Sequence, residues 1–219
     1  MTAQEIKQSF RVADRFGRKS INRWPDLRIG ILKTLTSGTV EKIVARLLPV
    51  MTVELTEGSD AELRALRSKE QLDLVITRMR DGDAASDRYH LMHEPYRMFV
   101  PDDHPLAGIE CVCPEDLAGE TMIARRNCEI LRETSQFFTK HGVRPKFALK
   151  SESDDRCMRM VAAGVGITTA PISLAIGGAT PLDVAGYDFA RTIAILYSGS
   201  FSQSKARQEV EAELAGVEF

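Results

Sequence analysis

The stretch LRIGILKTLTSGTVEKIVARLLPVMTVELTEGSDAELRALRSKEQLDLVIT, residues 27–77, decides the fold. It opens with Leu27-Arg-Ile-Gly-Ile-Leu32, a short β-branched run that reads as a strand, and the Thr34 to Thr39 segment breaks it. Val40, Ile43, Val44, Leu47 and Leu48 then recur at the spacing of one helix face, closed by Pro49. Met51 to Thr56 alternates as a strand. Ser59-Asp-Ala-Glu62 has the form of a capping box, in which the Ser hydroxyl bonds the N3 amide and the Glu reaches back. It starts a helix carrying Leu63 and Leu66, and Leu72 to Thr77 is the third strand. The order β-α-β-α-β calls for a parallel sheet, since parallel neighbours need a crossover and a helix covers the sheet face.

Further along, Tyr96 to Val100 reads as a strand ended by Pro101-Asp-Asp-His-Pro105, and a second α/β set follows. Its strands are Thr121–Ala124, Phe147–Leu149 and Gly166–Thr169. One helix covers Glu129–His141, with Leu131, Ser135 and Phe138 on its inner face and Gly142 as its stop. Another is capped by Ser153, carries Cys157, Met160 and Val161 on one face and ends at Gly164. A late strand, Thr192–Tyr197, precedes a final helix beginning near Gln203, with Ala206, Val210 and Leu214 in register. The expected organisation is an arm over residues 1–26 and two α/β sets joined near Val100–Pro101; if the late strand returns to the first set, the lobes are residues 27–100 plus 190–219 and residues 101–189.

The 219 residues carry a net charge of −2 and are 43% apolar, enough for one globular unit or two small lobes. Charge is uneven. Within residues 1–25, Lys7, Arg11, Arg15, Arg18, Lys19 and Arg23 are set against only Glu5 and Asp14, so the arm is basic and the body mildly acidic. The arm either touches phosphates or is a solvated helix. The start is polar with no apolar h-region, which argues against a signal peptide. Four cysteines do not make a disulfide framework in a chain of this size, so a reducing cytoplasm is the expected setting. Met160 to Leu182 is uncharged, but its glycines, prolines and threonines read as strand, turn and short helix rather than a membrane span.

Several segments resemble the effector-binding domain of LysR-type transcriptional regulators, in order and spacing from about residue 26 to 200. They are Leu27-Arg-Ile-Gly30, Val53-Glu-Leu-Thr-Glu-Gly58, Leu72-Asp-Leu-Val75, His104-Pro-Leu-Ala107, Asp116-Leu-Ala-Gly119 and, most specifically, Met160-Val-Ala-Ala-Gly-Val-Gly-Ile167 before Ala170-Pro171. The family's winged helix-turn-helix has no counterpart in the residues before Leu27, where Ile6, Phe10, Ala13 and Phe16 fit only the end of its linker helix. The resemblance implies a periplasmic-binding-protein-like fold: two Rossmann-like lobes with a ligand cleft between them, self-association as a dimer or tetramer, and DNA contact only through a domain absent from this chain. It implies that the ligand residues follow the strands: Thr34, Thr36 and Ser37 after the first, Ser59 at the second helix, Arg78 after the third strand, then Arg125, Asn127 and Cys128, and Thr169.

The chemistry of those residues agrees with the implication. Ligands of open α/β sheets bind beyond the carboxyl ends of strands. Helix N-termini offer amides and a positive dipole, Thr and Ser add hydroxyls, and Arg78, Arg125 and Arg126 can each pair with a carboxylate. A small anion is the favoured ligand. The competing reading is that the hydroxyls only cap helices, and that Arg125 or Arg126 is a solvated surface group. Cys128 opens a helix beside Arg125 and Arg126, which favours thiolate. Some members of the family sense peroxide through a cysteine placed there, but Glu129 to Gly142 holds no resolving cysteine. Thiol redox sensing is therefore one alternative, and Cys157, on an apolar face, reads as buried. A solute-binding protein of a transport system is a second alternative, and an enzyme on the same fold a third. No nucleophile elbow or phosphate loop is in place. Cys111-x-Cys113 and His90-x-x-His93 lack zinc spacing. Neither a metal nor another cofactor is expected.

Overall fold

The computed structural model describes residues 27–217, and the basic arm expected over residues 1–26 lies outside the described residues. The chain forms two compact units: one takes it up to His90 and again from Ala194, the other spans Leu91–Ile193. The boundary read at Val100–Pro101 falls further along the same strand than the division between the units.

The first unit begins with β1 (Leu27–Leu32), α1 (Ser37–Leu47), β2 (Val53–Gly58), α2 (Asp60–Ser68) and β3 (Leu74–Arg78), followed by the start of β4 (Arg88–Pro101). β1 pairs in parallel with both β2 and β3, setting Leu32 beside Gly58 and Ile31 beside Ile76. The carboxyl ends of the three strands therefore share one edge. Ile29, Ile43, Leu47, Leu63, Leu74 and Ile76 are buried, as the two helical faces and the third strand require. Gly30 is needed where it stands, because a Cβ there would lie 2.8 Å from side-chain carbons of Leu72 and Val75.

The second unit continues along β4 into β5 (Cys111–Val112), β6 (Thr121–Arg125), α3 (Leu131–Lys140), β7 (Lys146–Ser151), α4 (Asp154–Ala162), β8 (Thr168–Pro171) and β9 (Ala179–Val184). β4 pairs antiparallel with β8 and β9, β9 pairs in parallel with β5, and β6 pairs in parallel with β7. Gly166 lets the chain come against β6. Its missing Cβ would stand 2.5 Å from the Thr121 carbonyl oxygen, which accepts the Ile167 amide at 2.9 Å. β10 (Ala190–Tyr197) then carries the chain back to the first unit, beside β3. There it meets α5 (Gly199–Ser202) and α6 (Lys205–Leu214), whose Val210 and Leu214 are buried.

Two expectations are corrected. The helix read over Glu129–His141 begins at Leu131, because Cys128 N closes a turn on the Arg125 carbonyl at 3.1 Å and the Glu129 side chain is drawn to Arg191. Of the inner face read as Leu131, Ser135 and Phe138, Phe138 is buried as expected, whereas Leu131 and Ser135 are exposed. Thr134 and Phe138 are buried, Thr134 shares a 2.6 Å hydrogen bond with the Tyr187 hydroxyl, and Leu131 is 43% exposed. Among the described residues, no helix is long and apolar enough to cross a membrane.

Candidate functional site

In the first unit, five expected site residues gather at the shared edge. Thr34 follows β1 and is buried. Thr36 is the N-cap of α1: its Oγ1 accepts the Thr39 amide at 3.0 Å and shares a hydrogen bond of 2.9 Å with the Thr39 hydroxyl. Ser37 is exposed in the first turn of α1. Ser59 caps α2 as a full capping box, its hydroxyl donating to Glu62 Oε2 at 2.6 Å and its amide to the same oxygen at 2.8 Å. The hydroxyls of Thr36 and Ser59 thus serve helix ends first.

Arg78 ends β3 and is held from behind. Arg64 of α2 donates from Nη2 to the Arg78 carbonyl at 2.7 Å and to Asp83 Oδ2 at 2.9 Å, and from Nε to Asp60 Oδ1 at 2.6 Å. Thr77 Oγ1 adds a 2.8 Å bond to Asp60, which Arg80 also contacts. Burial pushes the Asp60 carboxyl up, but the hydrogen bonds from Arg64 and Thr77 outweigh it and hold it below its ordinary value. The Arg64 hydrogen bond does the same for Asp83. The acidic groups are thereby committed to Arg64 and Arg80. Arg78 keeps a buried Nε with no hydrogen-bond partner, so its guanidinium has donor capacity in hand at the strand edge.

In the second unit, Arg125 ends β6 at 1% exposure. Its Nε and Nη2 donate to Asp154 Oδ1 and Oδ2 at 2.8 and 2.6 Å, and Nη1 donates to the Thr169 carbonyl at 3.1 Å. Burial pulls its pKa down and Asp154 more than compensates, so the group stays charged above its ordinary value. That fork ties together β6, α4 and β8. Asn127 donates from Nδ2 to the Glu152 carbonyl at 2.7 Å. Cys128 departs from the thiolate expectation. It precedes the helix instead of opening it and is buried, and burial pushes its thiol above the ordinary value against the weaker pull of Arg125. Arg125, Cys128 and Thr169 nonetheless line one cavity of about 260 Å³ inside this unit. Arg126 is exposed. Cys157 is fully buried on α4, and burial raises its thiol too. Among the described residues, no group of three or more His, Cys, Asp or Glu side chains is placed to hold a metal ion.

The sequence reading missed the other buried charge of this unit. Arg191 of β10 donates from Nε to Glu94 Oε1 at 2.8 Å and from Nη1 to Glu129 Oε1 at 2.7 Å. The Tyr96 hydroxyl donates to Glu129 Oε2 at 2.8 Å, and the Ser173 amide to Glu94 Oε2 at 2.9 Å. Partners so far apart in sequence leave no local pattern.

Residues 25–216 match the LysR substrate binding domain family, and the chain belongs to that family. Among curated proteins, it is 30% identical over 197 residues to the DNA-binding transcriptional dual regulator OxyR of Escherichia coli K12, an alignment covering 85% of this chain and 64% of OxyR. The chain thus spans less than two thirds of that relative's length. It is 25% identical over 173 residues to the transcriptional activator protein LysR of the same organism, covering 75% of this chain and 56% of that protein. Among solved structures, the reduced form of OxyR aligns at 27% identity with a TM-score of 0.67, over 88% of this chain and 97% of that one. The regulatory domain of CcmR from Synechocystis PCC6803 in complex with 2-PG shares the fold at 20% identity, with a TM-score of 0.72 over 86% and 95% of the two chains.

Proposed function

We propose that this domain is the effector sensor of a transcriptional regulator and that it recognises a small anionic molecule at the strand edge of its first unit. The observation carrying this reading is Arg78: a half-buried guanidinium whose Nε lacks a partner, beyond the carboxyl end of a parallel strand. Thr34 and the first turn of α1, with the exposed Ser37, stand at the same edge and supply neutral donors. Names of structural relatives add support, since they record complexes with 2-PG and with shikimate. In the whole regulator the domain self-associates and DNA is read by a separate domain, with the effector shifting the balance between states of the assembly.

The test is a thermal-shift screen of small carboxylates. A ligand that binds the folded state raises the melting temperature by mass action. Removing a charge-assisted hydrogen bond costs roughly 1.5–3 kcal/mol, so Arg78→Ala weakens a true ligand about ten- to a hundred-fold, and Thr34→Ala weakens it less. A hit whose stabilisation survives both substitutions undiminished does not bind at this edge. Thiol sensing through Cys128 is the second reading, favoured by relatives named as hydrogen peroxide-inducible genes activators. The buried, raised thiol of this chain weighs against it.

A further inference from the structure

The second unit contains a hollow that the anion-recognition edge does not use. It lies under α3, between that helix, β6 and the start of β7, and its walls include Met122, Ile123, Leu131, Phe138, Val143 and Phe147. Protein interiors are close-packed and leave few voids larger than a water molecule. A space of about 260 Å³ sits just under the usual size of small-molecule pockets and suits a body of one or two rings.

Three buried polar side chains on the walls of the hollow are already engaged. The Arg125 charge is neutralised by Asp154, the Thr168 hydroxyl donates to the Ile123 carbonyl at 2.8 Å, and Thr134 is joined to Tyr187. An apolar body entering there breaks no hydrogen bond and strands no charge. The mouth has the opposite character. Leu131 and Phe147 are 43% and 50% exposed. Arg144 beside them is exposed and makes no ion pair or hydrogen bond among the described residues. Lys150 places its Nζ 5.4 Å from the Phe147 ring centroid, adding positive charge to the rim.

We infer that this cavity is a second ligand site, taking a compact apolar molecule that carries one anionic group, with the apolar body under α3 and the anion at Arg144. It is independent of the Arg78 edge, and the two can fail separately.

Titration calorimetry of the full chain with 2-naphthoate and with its neutral amide, 2-naphthamide, tests it. Both bind, the acid about two- to five-fold tighter, which is the range of an exposed charge pair. Arg144→Gln brings the two affinities together. Ser135→Trp, at an exposed α3 position lining the cavity, fills the space and weakens both by more than about tenfold. Its unliganded melting temperature and circular dichroism stay as in the parent. Thr139→Trp, one turn on, serves the same purpose if Ser135→Trp does not fold. Arg78→Ala leaves the affinity for the neutral 2-naphthamide unchanged. As an independent readout, saturating 2-naphthamide slows alkylation of Cys128, followed by mass spectrometry, and leaves the exposed Cys111 and Cys113 unaffected. The inference is overturned if neither compound binds at millimolar concentration, if the tryptophan variants bind as the parent does, if Arg78→Ala abolishes binding of 2-naphthamide, or if Cys128 is not protected.

Discussion

Among the described residues, Arg125 and Arg191 lead the fully buried side chains by volume. Each has carboxylate partners, and neither would stay in place without them, because an unpaired buried charge costs several kcal/mol. Asp154→Ala should therefore destabilise the fold by about 3–5 kcal/mol, the cost of breaking a buried pair from one side. Replacing both partners with apolar residues, Arg125→Met with Asp154→Leu, should recover most of that loss. Urea denaturation decides the matter: a single-variant loss below about 1 kcal/mol would mean that the pair is not load-carrying. Arg125 was legible as a strand-end residue, but its burial and its pairing with Asp154 were not. Its carboxylate partner, Asp154, lies 29 residues further along, at the start of a helix. Cys128 was misjudged for a related reason. Proximity to arginine was legible, but the burial that outweighs it was not. Arg78 shows the converse, since its free Nε follows from neighbours that the linear order does not reveal.

At the scale of elements, α2 connects a local signal to a distant consequence. Its capping box is readable from four residues and is fully formed. What it positions is not readable: Asp60 and Arg64 project toward the end of β3 and gather Asp83 and Arg80. Both Asp60 and Asp83 are held below their ordinary carboxylate value. Their contribution to stability is thus present above that value, about pH 4, and is lost as pH falls through the lower folded-state value. Asp83→Asn should show a clear loss of denaturation midpoint near neutral pH that shrinks at about pH 3. An equal loss at both pH values would remove the electrostatic explanation. The strands and helices of residues 27–77 were legible because both faces of the chemistry, periodicity and capping, agree there. β9 was missed because Ala179–Val184 contains Pro181 and lacks β-branched runs, and its pairing to β4 supplies what propensity does not. β4 was read too short, since its first half, Arg88–Pro95, is polar and only partly buried.

At the scale of the whole molecule, the α/β class and the family were legible because the order and spacing of several weak motifs agree. The chain order also carries a consequence of its own. Residues 91–193 form one continuous insertion in the first unit. The ends of that insertion are fastened to each other by the Arg191–Glu94 pair, by Tyr96 N to the Phe189 carbonyl at 2.8 Å, and by the His93–Thr192 hydrogen bond at 2.9 Å. The first unit, by contrast, is assembled from two chain segments that meet in contacts such as Ser198 N to the Asp73 carbonyl at 2.9 Å. Closing a flexible loop costs entropy that grows with its length, by about 0.6 kcal/mol per doubling. Once the inserted unit has folded and fastened its ends, that loop is in effect short. Folding should therefore run from the inside of the sequence outward. In pulsed hydrogen exchange during refolding, amides of β6, β7 and α3 should become protected before Ser198, and the reverse order would refute a nucleus in the insertion.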